Sequence, residues 1–490
     1  MTDKPSLVPK SNTPLSEDGF GQPQNYNADE TSLRYMLKLA APMVVTTISF
    51  TVMQFVDRYM VSRLGTTALA AILPAQFVSF LPTSFAIGTI AILNTFVSQS
   101  LGRGDKADCS NYFWQVAYIG CVYFVIVLVI MWPASPWIFR AMGHPEAVTD
   151  LEVVYFRIML YAHLLAIINY ASSEFFMGVH RPVITMYASL CGQVVNIAAN
   201  YLLIYGKLGF PAMGIAGAGW GTFIGIGVAA AINMVAFLSN NVNTAFRSRQ
   251  TLNVDFAKMY DLLKVGLPAG LGLMVNVAFW GVILLGLVGR SDGKEALAAT
   301  SAVLSYTNIS VMPIVGLATA LTAAVGKAIG QDRKDLAVRQ TSVCLRVALV
   351  YMGLVGLGFF LFREPLMAFW SSDEKVNQIG ANILICAAIY QVFHAARTVY
   401  GGSLSGAGDT IWLAIVSAVG AVIILGLGGT LVVVFLPSLR SLGPWIAATF
   451  SIIVVGLANY WRFKSNRWTQ IDLFKRRAVA VPIEIERPIE

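Results

Sequence analysis

The sequence predicts an all-α membrane protein with twelve transmembrane helices in two related six-helix halves. Three observations carry this prediction: a low charge content, long apolar runs and an internal repeat. Only 12% of the 490 residues are charged and 56% are hydrophobic, and the mean hydropathy is +0.66. A soluble domain carries about 25% charged residues. A soluble multi-domain protein is therefore a poor alternative.

Twelve apolar segments are long enough to cross a bilayer, which needs roughly 20 residues. Short segments at 133–142 and 365–370 separate the third and fourth spans of each half. Prolines within several spans can kink their helices. The predicted spans are 32–62, 67–101, 111–132, 149–177, 181–205, 213–239, 256–288, 296–329, 336–362, 376–404, 409–436 and 442–461.

The second half of the chain repeats the first. The segment LKLAAP at 37–42 returns as LKVGLP at 263–268, a separation of 226 residues (268 − 42), and Gly178 returns as Gly406, a separation of 228 (406 − 178). Long-period self-similarity of this kind indicates a duplicated chain. With six spans per half, both copies enter the membrane from the same side, so their axis lies along the membrane normal.

The distribution of basic residues predicts the topology. Lys and Arg concentrate in the loops on one side, which identifies that side as cytoplasmic and places both termini there. We predict a disordered cytoplasmic tail at 1–31, an N-terminal lobe at 32–239, a cytoplasmic linker at 240–255, a C-terminal lobe at 256–461 and a basic cytoplasmic tail at 462–490.

Asp57 is the most unusual residue of the first span, because acids inside membrane helices are rare and usually face a cavity or a partner. Gln54 lies three residues earlier, on the same helix face. Two interpretations are equally supported: a protonatable or cation-binding carboxylate in a cavity, or an interfacial pair with Arg58. The matching position in the second copy is Ile283 or Leu285, so this acid belongs to one half alone.

The fifth span carries three amides on one face: Gln193, Asn196 and Asn200. They can line a polar cavity or coordinate a cation through their carbonyl oxygens. They can equally hold neighbouring helices together by hydrogen bonds. Their counterparts at a separation of 228 are apolar or glycine, which favours a functional role; these counterparts are Ala421, Ile424 and Gly428.

Several function classes find no support in the sequence. The basic residues form no stripe for nucleic acid, and no zinc motif, P-loop or nucleophile elbow is present. We therefore predict a protein that is not an enzyme and has no resident cofactor. Further polar residues in or near spans are Glu174, expected at the surface, His163, and Arg397, which needs a partner.

The order and spacing of several motifs resemble the multidrug and toxic compound extrusion (MATE) transporters. The resemblance runs from about residue 33 to 461. It rests on VDRYMVSRLGTTALAA, with which the first span ends, GRGD after the second, GVHRP after the fourth, an NxxxN pair followed by GIAGAGWGT, and GSLSGAGDT after the tenth. It implies two lobes around a V-shaped cleft and an antiporter that exports amphipathic, often cationic compounds against an inward flow of protons or sodium ions.

The resemblance also implies roles for single residues. Asp57 matches the coupling acid of the first lobe, and Asn196 and Thr222 match its polar neighbours. Asn200 stands where the family often has aspartate, and Asn276 where some members have glutamate. Asp409 matches their second-lobe acid, although it can also cap the eleventh helix. A sodium ion would bind at Asp57, Asn196, Asn200 and Thr222.

The loss of those two acids leaves one carboxylate among amides. Such a site is weak for sodium, because hard cations favour a high ligand charge count, so the sequence favours proton coupling. The alternative is a flippase for a lipid-linked saccharide, although Arg397 is the only internal cation available for a pyrophosphate. We expect a monomer in the inner membrane whose partners are small amphipathic or cationic substrates and lipids, without nucleic acid.

Overall fold

The computed structural model describes residues 32–371, 373–439 and 441–474, without the side chains of 66, 69, 282–285, 289–292 and 294. The predicted tail at 1–31 and most of the basic tail at 462–490 lie outside the described residues, as do the side chains of Ile283 and Leu285. The described part of the chain is helical and holds no strand, which confirms the all-α class.

Twelve helices of the described chain are long and apolar enough to cross a membrane, as predicted. We number them α1 to α12. Their bounds are Leu33–Ser62, Ala70–Gly102, Lys106–Ala141, Glu146–Gly178, Pro182–Tyr205, Ile215–Phe237, Phe256–Val288, Glu295–Gly330, Lys334–Leu361, Glu374–Gly406, Thr410–Phe435 and Leu442–Lys464.

The third span is longer than predicted. Its helix continues through Pro133 and Pro136 to Ala141, so the prediction of a separate segment at 133–142 was wrong. A proline removes one backbone donor, and side-chain hydroxyls can satisfy the carbonyl that this leaves free in a membrane helix. Here the Ser135 hydroxyl donates to the Trp132 carbonyl at 2.8 Å. In the second half, 365–370 falls within a short helix, Arg363–Ala368, and the turn after it.

The predicted linker at 240–255 contains a short helix, Asn240–Phe246, that the sequence did not reveal. The rest of it lies along α3. Tyr118 donates to the Leu252 carbonyl at 2.6 Å, and Gln115 donates to the Asn253 carbonyl at 2.9 Å. The connection between the halves is therefore held against the first lobe.

The two lobes meet through α1 on α8 and α2 on α7. Glycines allow the close approach: a Cβ at Gly88 would lie 2.8 Å from the Gly270 Cα, and one at Gly316 would lie 2.8 Å from the Val44 nitrogen. Small residues at such crossings let membrane helices approach closely.

Hydrogen bonds join the lobes on the side where α1 begins and α12 ends, which we call the terminal side. Thr95 donates to the Ser405 carbonyl at 2.8 Å, and Gln99 donates to the Gly406 carbonyl at 2.9 Å. Among the described residues, the side-chain hydrogen bonds between lobes lie from the middle of the helices to this side. The lobes thus enclose the predicted V-shaped cleft, closed at the terminal side.

His180, between α4 and α5, takes part in these terminal-side contacts between the lobes. Its Nδ1 lies 3.0 Å from the Tyr35 hydroxyl of α1, and its Nε2 lies 3.2 Å from the Ala323 carbonyl of α8. Donation from Nε2 to Ala323 makes Nδ1 the acceptor from Tyr35, which requires the neutral ring. Burial, with Lys327 nearby, lowers the pKa of His180 to about 3, so the ring is neutral at physiological pH.

The α2–α7 crossing gives a testable prediction. Gly88→Ala should destabilise the fold by about 1 to 3 kcal/mol, because the added Cβ meets backbone atoms that cannot move independently. Thermal unfolding in detergent would measure this. Gly353→Ala is the matched control, since a Cβ there has no atom within 4 Å and alanine is the better helix former. Equal melting temperatures for both variants would contradict the prediction.

Candidate functional site

Asp57 lies near the end of α1 that is far from the terminal side. Its side chain is buried, with 6% of the residue exposed, whereas Arg58 points outward and is exposed. The Asn200 side chain donates to Asp57 Oδ1 at 2.7 Å. Of the two interpretations that the sequence left open, the geometry matches the buried carboxylate rather than the interfacial pair.

A chain of polar groups continues from Asp57 across α5 to α6. The same Asn200 amide also donates to Asn196 Oδ1 at 3.3 Å, and Asn196 donates to the Thr222 hydroxyl at 3.4 Å. Thr222 in turn donates to the Ala218 carbonyl of its own helix at 3.0 Å. The structure therefore brings together the four residues Asp57, Asn196, Asn200 and Thr222, which we call the N-lobe polar cluster.

One acceptor in this cluster has no partner among the described residues. Asn200 Oδ1 is buried and receives no hydrogen bond. Residue 221 leaves space for this oxygen because it is glycine. A Cβ at Gly221 would overlap the oxygen. A buried unpaired acceptor is costly, so the oxygen is available to a proton donor or a cation that enters the cluster.

Sequence reasoning missed two residues beside the cluster. Tyr155 of α4 is buried and lies near both Thr222 and Asp57, and the Gln76 amide of α2 donates to its hydroxyl at 3.4 Å. Gln76 is an amide in the mainly apolar first part of α2, which is the one signal that the sequence offered. Tyrosine alone gives none, because it is common at membrane interfaces.

Two predicted cavity residues stand apart from the cluster. Gln54 and Gln193 are both half-buried, and neither makes a side-chain hydrogen bond to the described residues. Each lies on the same helix face as a residue of the cluster, Gln54 near Asp57 and Gln193 near Asn196. The hydrogen-bonded chain nevertheless runs through Asn200 and Thr222.

In the second lobe the structure separates the predicted residues. Asn276 is half-buried in α7, three residues before the start of a π-helical segment, Phe279–Ile283. Asp409 lies at the terminal-side start of α11, where Arg462 Nε donates to it at 2.7 Å. Its side chain makes no capping hydrogen bond. Asp409 thus forms an ion pair at the start of α11 instead of the predicted cap, and its role as the second-lobe acid stays a prediction.

The structure also locates three residues whose roles the sequence left open. His163 is buried, with its Nδ1 3.1 Å from the Thr83 hydroxyl. Glu174 is half-buried beside Asn94, so the expected surface position was wrong. Arg397 lies inside the second lobe, apart from the N-lobe polar cluster. Among the described residues, no group of three or more His, Cys, Asp or Glu side chains is arranged to hold a metal ion.

Comparisons with known proteins identify the family. The family model described as MatE matches residues 42–202 and again residues 268–428, once in each half of the chain. The chain belongs to the MATE family of transporters. It is therefore an integral multi-pass membrane protein and a transporter rather than an enzyme, as predicted.

Curated relatives carry the same family assignment. A probable multidrug resistance protein NorM of Chromobacterium violaceum is 29% identical over 454 residues, which cover 89% of this chain and 94% of the relative. A protein of the same name from Photorhabdus laumondii is 26% identical and covers 77% of this chain and 83% of its own length.

Solved structures share the fold. A MATE crystallised in complex with MaL6 superposes with a TM-score of 0.81 at 20% identity, covering 90% of this chain and 98% of that one. The outward-facing conformation of a multidrug resistance MATE family transporter superposes with a TM-score of 0.82 at 19% identity, covering 90% and 97%. At such identities the likeness concerns the fold alone.

Proposed function

We propose that this MATE transporter exports small amphipathic, often cationic compounds across the inner membrane in exchange for protons, with Asp57 as the coupling group. The observation that carries the proposal is the pairing of the buried Asp57 carboxylate with the neutral amide of Asn200. No cation pairs with this carboxylate among the described residues. The names of the curated relatives support multidrug export and give no support to the flippase alternative.

Burial gives the carboxylate a reason to bind a proton. The charged form lies in a poorly solvated site, and the single hydrogen bond from Asn200 offsets that cost only in part. A protonated Asp57 becomes a donor, and Asn200 Oδ1 is an acceptor without a described partner. Rotation of the Asn200 amide would exchange the two arrangements. Proton binding and release would then change the hydrogen bonds of the whole cluster.

The first helix links this site to the lobe interface. Thr47, on the same helix as Asp57, donates to the Met312 carbonyl of α8 at 3.2 Å, and α1 passes closely over Gly316. Pro42 lies inside α1 and leaves it able to bend. A rearrangement at Asp57 that shifts or bends α1 would thus act on the contact that closes the cleft, as alternating access requires.

Sodium fits the cluster less well than a proton. One carboxylate and the free Asn200 oxygen would be the principal ligands, and a hard cation gains affinity with the number of charged ligands. We infer a cytoplasmic position for both termini from the basic residues of the terminal-side loops. These include Arg103, Lys106, Arg181, Arg247, Arg249, Arg333 and Lys334. We further propose that the transporter is a monomer.

The test is dye efflux from proteoliposomes with pH and sodium gradients imposed independently. We expect a pH gradient to drive efflux of a cationic dye and a sodium gradient, at equal pH, to leave it near the leak rate. Efflux driven by sodium alone would contradict proton coupling, and efflux driven by neither gradient would contradict antiport.

A second carboxylate should change the ion preference. In Asn200→Asp, two acids would face each other in the cluster, and the higher ligand charge should allow sodium to bind. We expect sodium-driven efflux to appear in this variant, measured in the same proteoliposomes. Asn240→Asp is the control, since Asn240 is exposed on the short linker helix away from the cluster and should leave sodium without effect. An unchanged sodium response in Asn200→Asp would argue against the cluster as the ion site.

A further inference from the structure

The Arg397 guanidinium lies on the membrane-spanning helix α10 without a partner among the described residues. It forms no hydrogen bond, ion pair or ring contact with them, although the residue is half-buried in the second lobe. Two other cations of the spans with little exposed side chain are paired: Lys258 with Asp108, and Arg462 with Asp409. A cation in a span without a partner is costly and marks a functional position.

Arg397 is not fully covered by its neighbours. Arg397 and His394, both in α10, are half-buried residues that keep accessible surface. Helix α12 packs closely against this turn of α10: a Cβ at Gly456 would lie 3.7 Å from the Arg397 Cβ, and Asn459 donates to the Arg397 backbone carbonyl at 3.3 Å. Arg397 is therefore fixed beside α12 through its backbone, while the residue stays partly accessible.

His394 can supply a second donor beside Arg397. Its Nδ1 lies 3.1 Å from the Thr398 hydroxyl. When that hydroxyl donates to Nδ1, the proton of the neutral ring resides on Nε2, which makes no hydrogen bond to the described residues. His394 and Arg397 are three residues apart on one helix, so their side chains are neighbours.

The matching position in the first half of the duplicated chain holds an amide. At the separation of 228 residues (397 − 228 = 169), Arg397 matches Asn169. Asn169 Oδ1 accepts a hydrogen bond from the Asn233 amide of α6 at 2.9 Å, so this oxygen has a partner within the lobe. In place of this bonded amide the second copy has a cation without a partner among the described residues.

We propose that Arg397, assisted by His394, binds the carboxylate of exported substrates that carry both a positive and a negative group. A guanidinium binds a carboxylate through two parallel hydrogen bonds, and one such cation matches one negative charge. The inference rests on the proposed export function. It adds a recognition group in the second lobe for the negative end of such a substrate.

The experiment compares two dyes that differ only in this group: tetramethylrhodamine, which carries a carboxylate, and its methyl ester, which is a simple cation. Binding to the purified full-length protein in detergent is measured by fluorescence polarisation without any ion gradient. We expect Arg397→Gln to weaken binding of the carboxylate dye about tenfold or more and to leave the ester unchanged. Arg397→Lys, which keeps the charge, should retain part of the affinity.

The control is Arg346→Gln, which removes a positive charge from the exposed face of α9 and should change neither dye. Equal losses for both dyes in Arg397→Gln, or failure of the wild-type protein to bind the carboxylate dye, would overturn the proposal. Because no gradient is used, a protein that binds through Arg397 and yet exports neither dye would refute antiport and leave the carboxylate site standing.

Discussion

Asp57→Asn is expected to reduce proton-driven efflux of a cationic dye by at least tenfold, to the leak rate. Asparagine cannot bind or release a proton, so the cluster of Asp57, Asn200, Asn196 and Thr222 loses its only ionisable member. Folding should be preserved, because an amide has nearly the shape of the carboxylate and no charge remains to be buried. Efflux from proteoliposomes and the melting temperature of the purified variant measure the two effects.

The matched control for this variant is Asp150→Asn, the same chemical change at an exposed position near the start of α4. It should export the dye at the wild-type rate. Full proton coupling in Asp57→Asn would show that the buried acid is not the coupling group. A large fall in melting temperature would show instead that Asp57 is needed for the fold.

Asp409→Asn is expected to destabilise the transporter by about 3 kcal/mol while leaving efflux coupled. Asp409 accepts from Arg462 Nε at 2.7 Å and from Arg462 Nη2 at 3.3 Å, and both side chains are largely buried. Loss of one charge leaves the other without its partner, which is costly in a poorly solvated place. Thermal unfolding in detergent measures the loss, and efflux is assayed below the transition.

A double variant, Asp409→Leu with Arg462→Met, tests whether the loss of stability comes from the charge that is left unpaired. Replacement of a buried ion pair by apolar residues of similar volume is often neutral or stabilising, so the double variant should recover most of the stability that the single variant loses. Loss of coupling in Asp409→Asn, with the melting temperature unchanged, would identify Asp409 as a coupling acid after all.

The sequence alone was sufficient for the membrane architecture. Helices that cross a bilayer need about 20 apolar residues and satisfy their own backbone hydrogen bonds, so hydropathy along the chain locates them without tertiary information. The repeat from 37–42 to 263–268 in turn revealed the duplication. The bounds of α3 were less accurate, because Pro133 and Pro136 look like helix breakers in a sequence, whereas the Ser135 hydroxyl bonds a carbonyl beside them.

The candidate site could be predicted only in part. Asp57, Asn196 and Asn200 stand out because polar residues in apolar spans are rare. Tyr155 and Gln76 do not, since their place beside the cluster depends on which faces α4 and α2 present to α1. The partner of Asp409 could not be predicted for a related reason: Arg462 lies 53 residues away on another helix.

By itself the sequence determined the number of spans, their grouping into two copies and the confinement of the acid and its amides to the first. These features follow from composition and spacing, which are properties of the chain before it folds. The tertiary structure decided that Asp57 bonds Asn200 rather than facing outward with Arg58, that Asp409 is held by Arg462, and that Arg397 remains unpaired among the described residues. Such outcomes depend on the rotation and approach of helices distant in the chain, which side-chain packing fixes only when the lobes form.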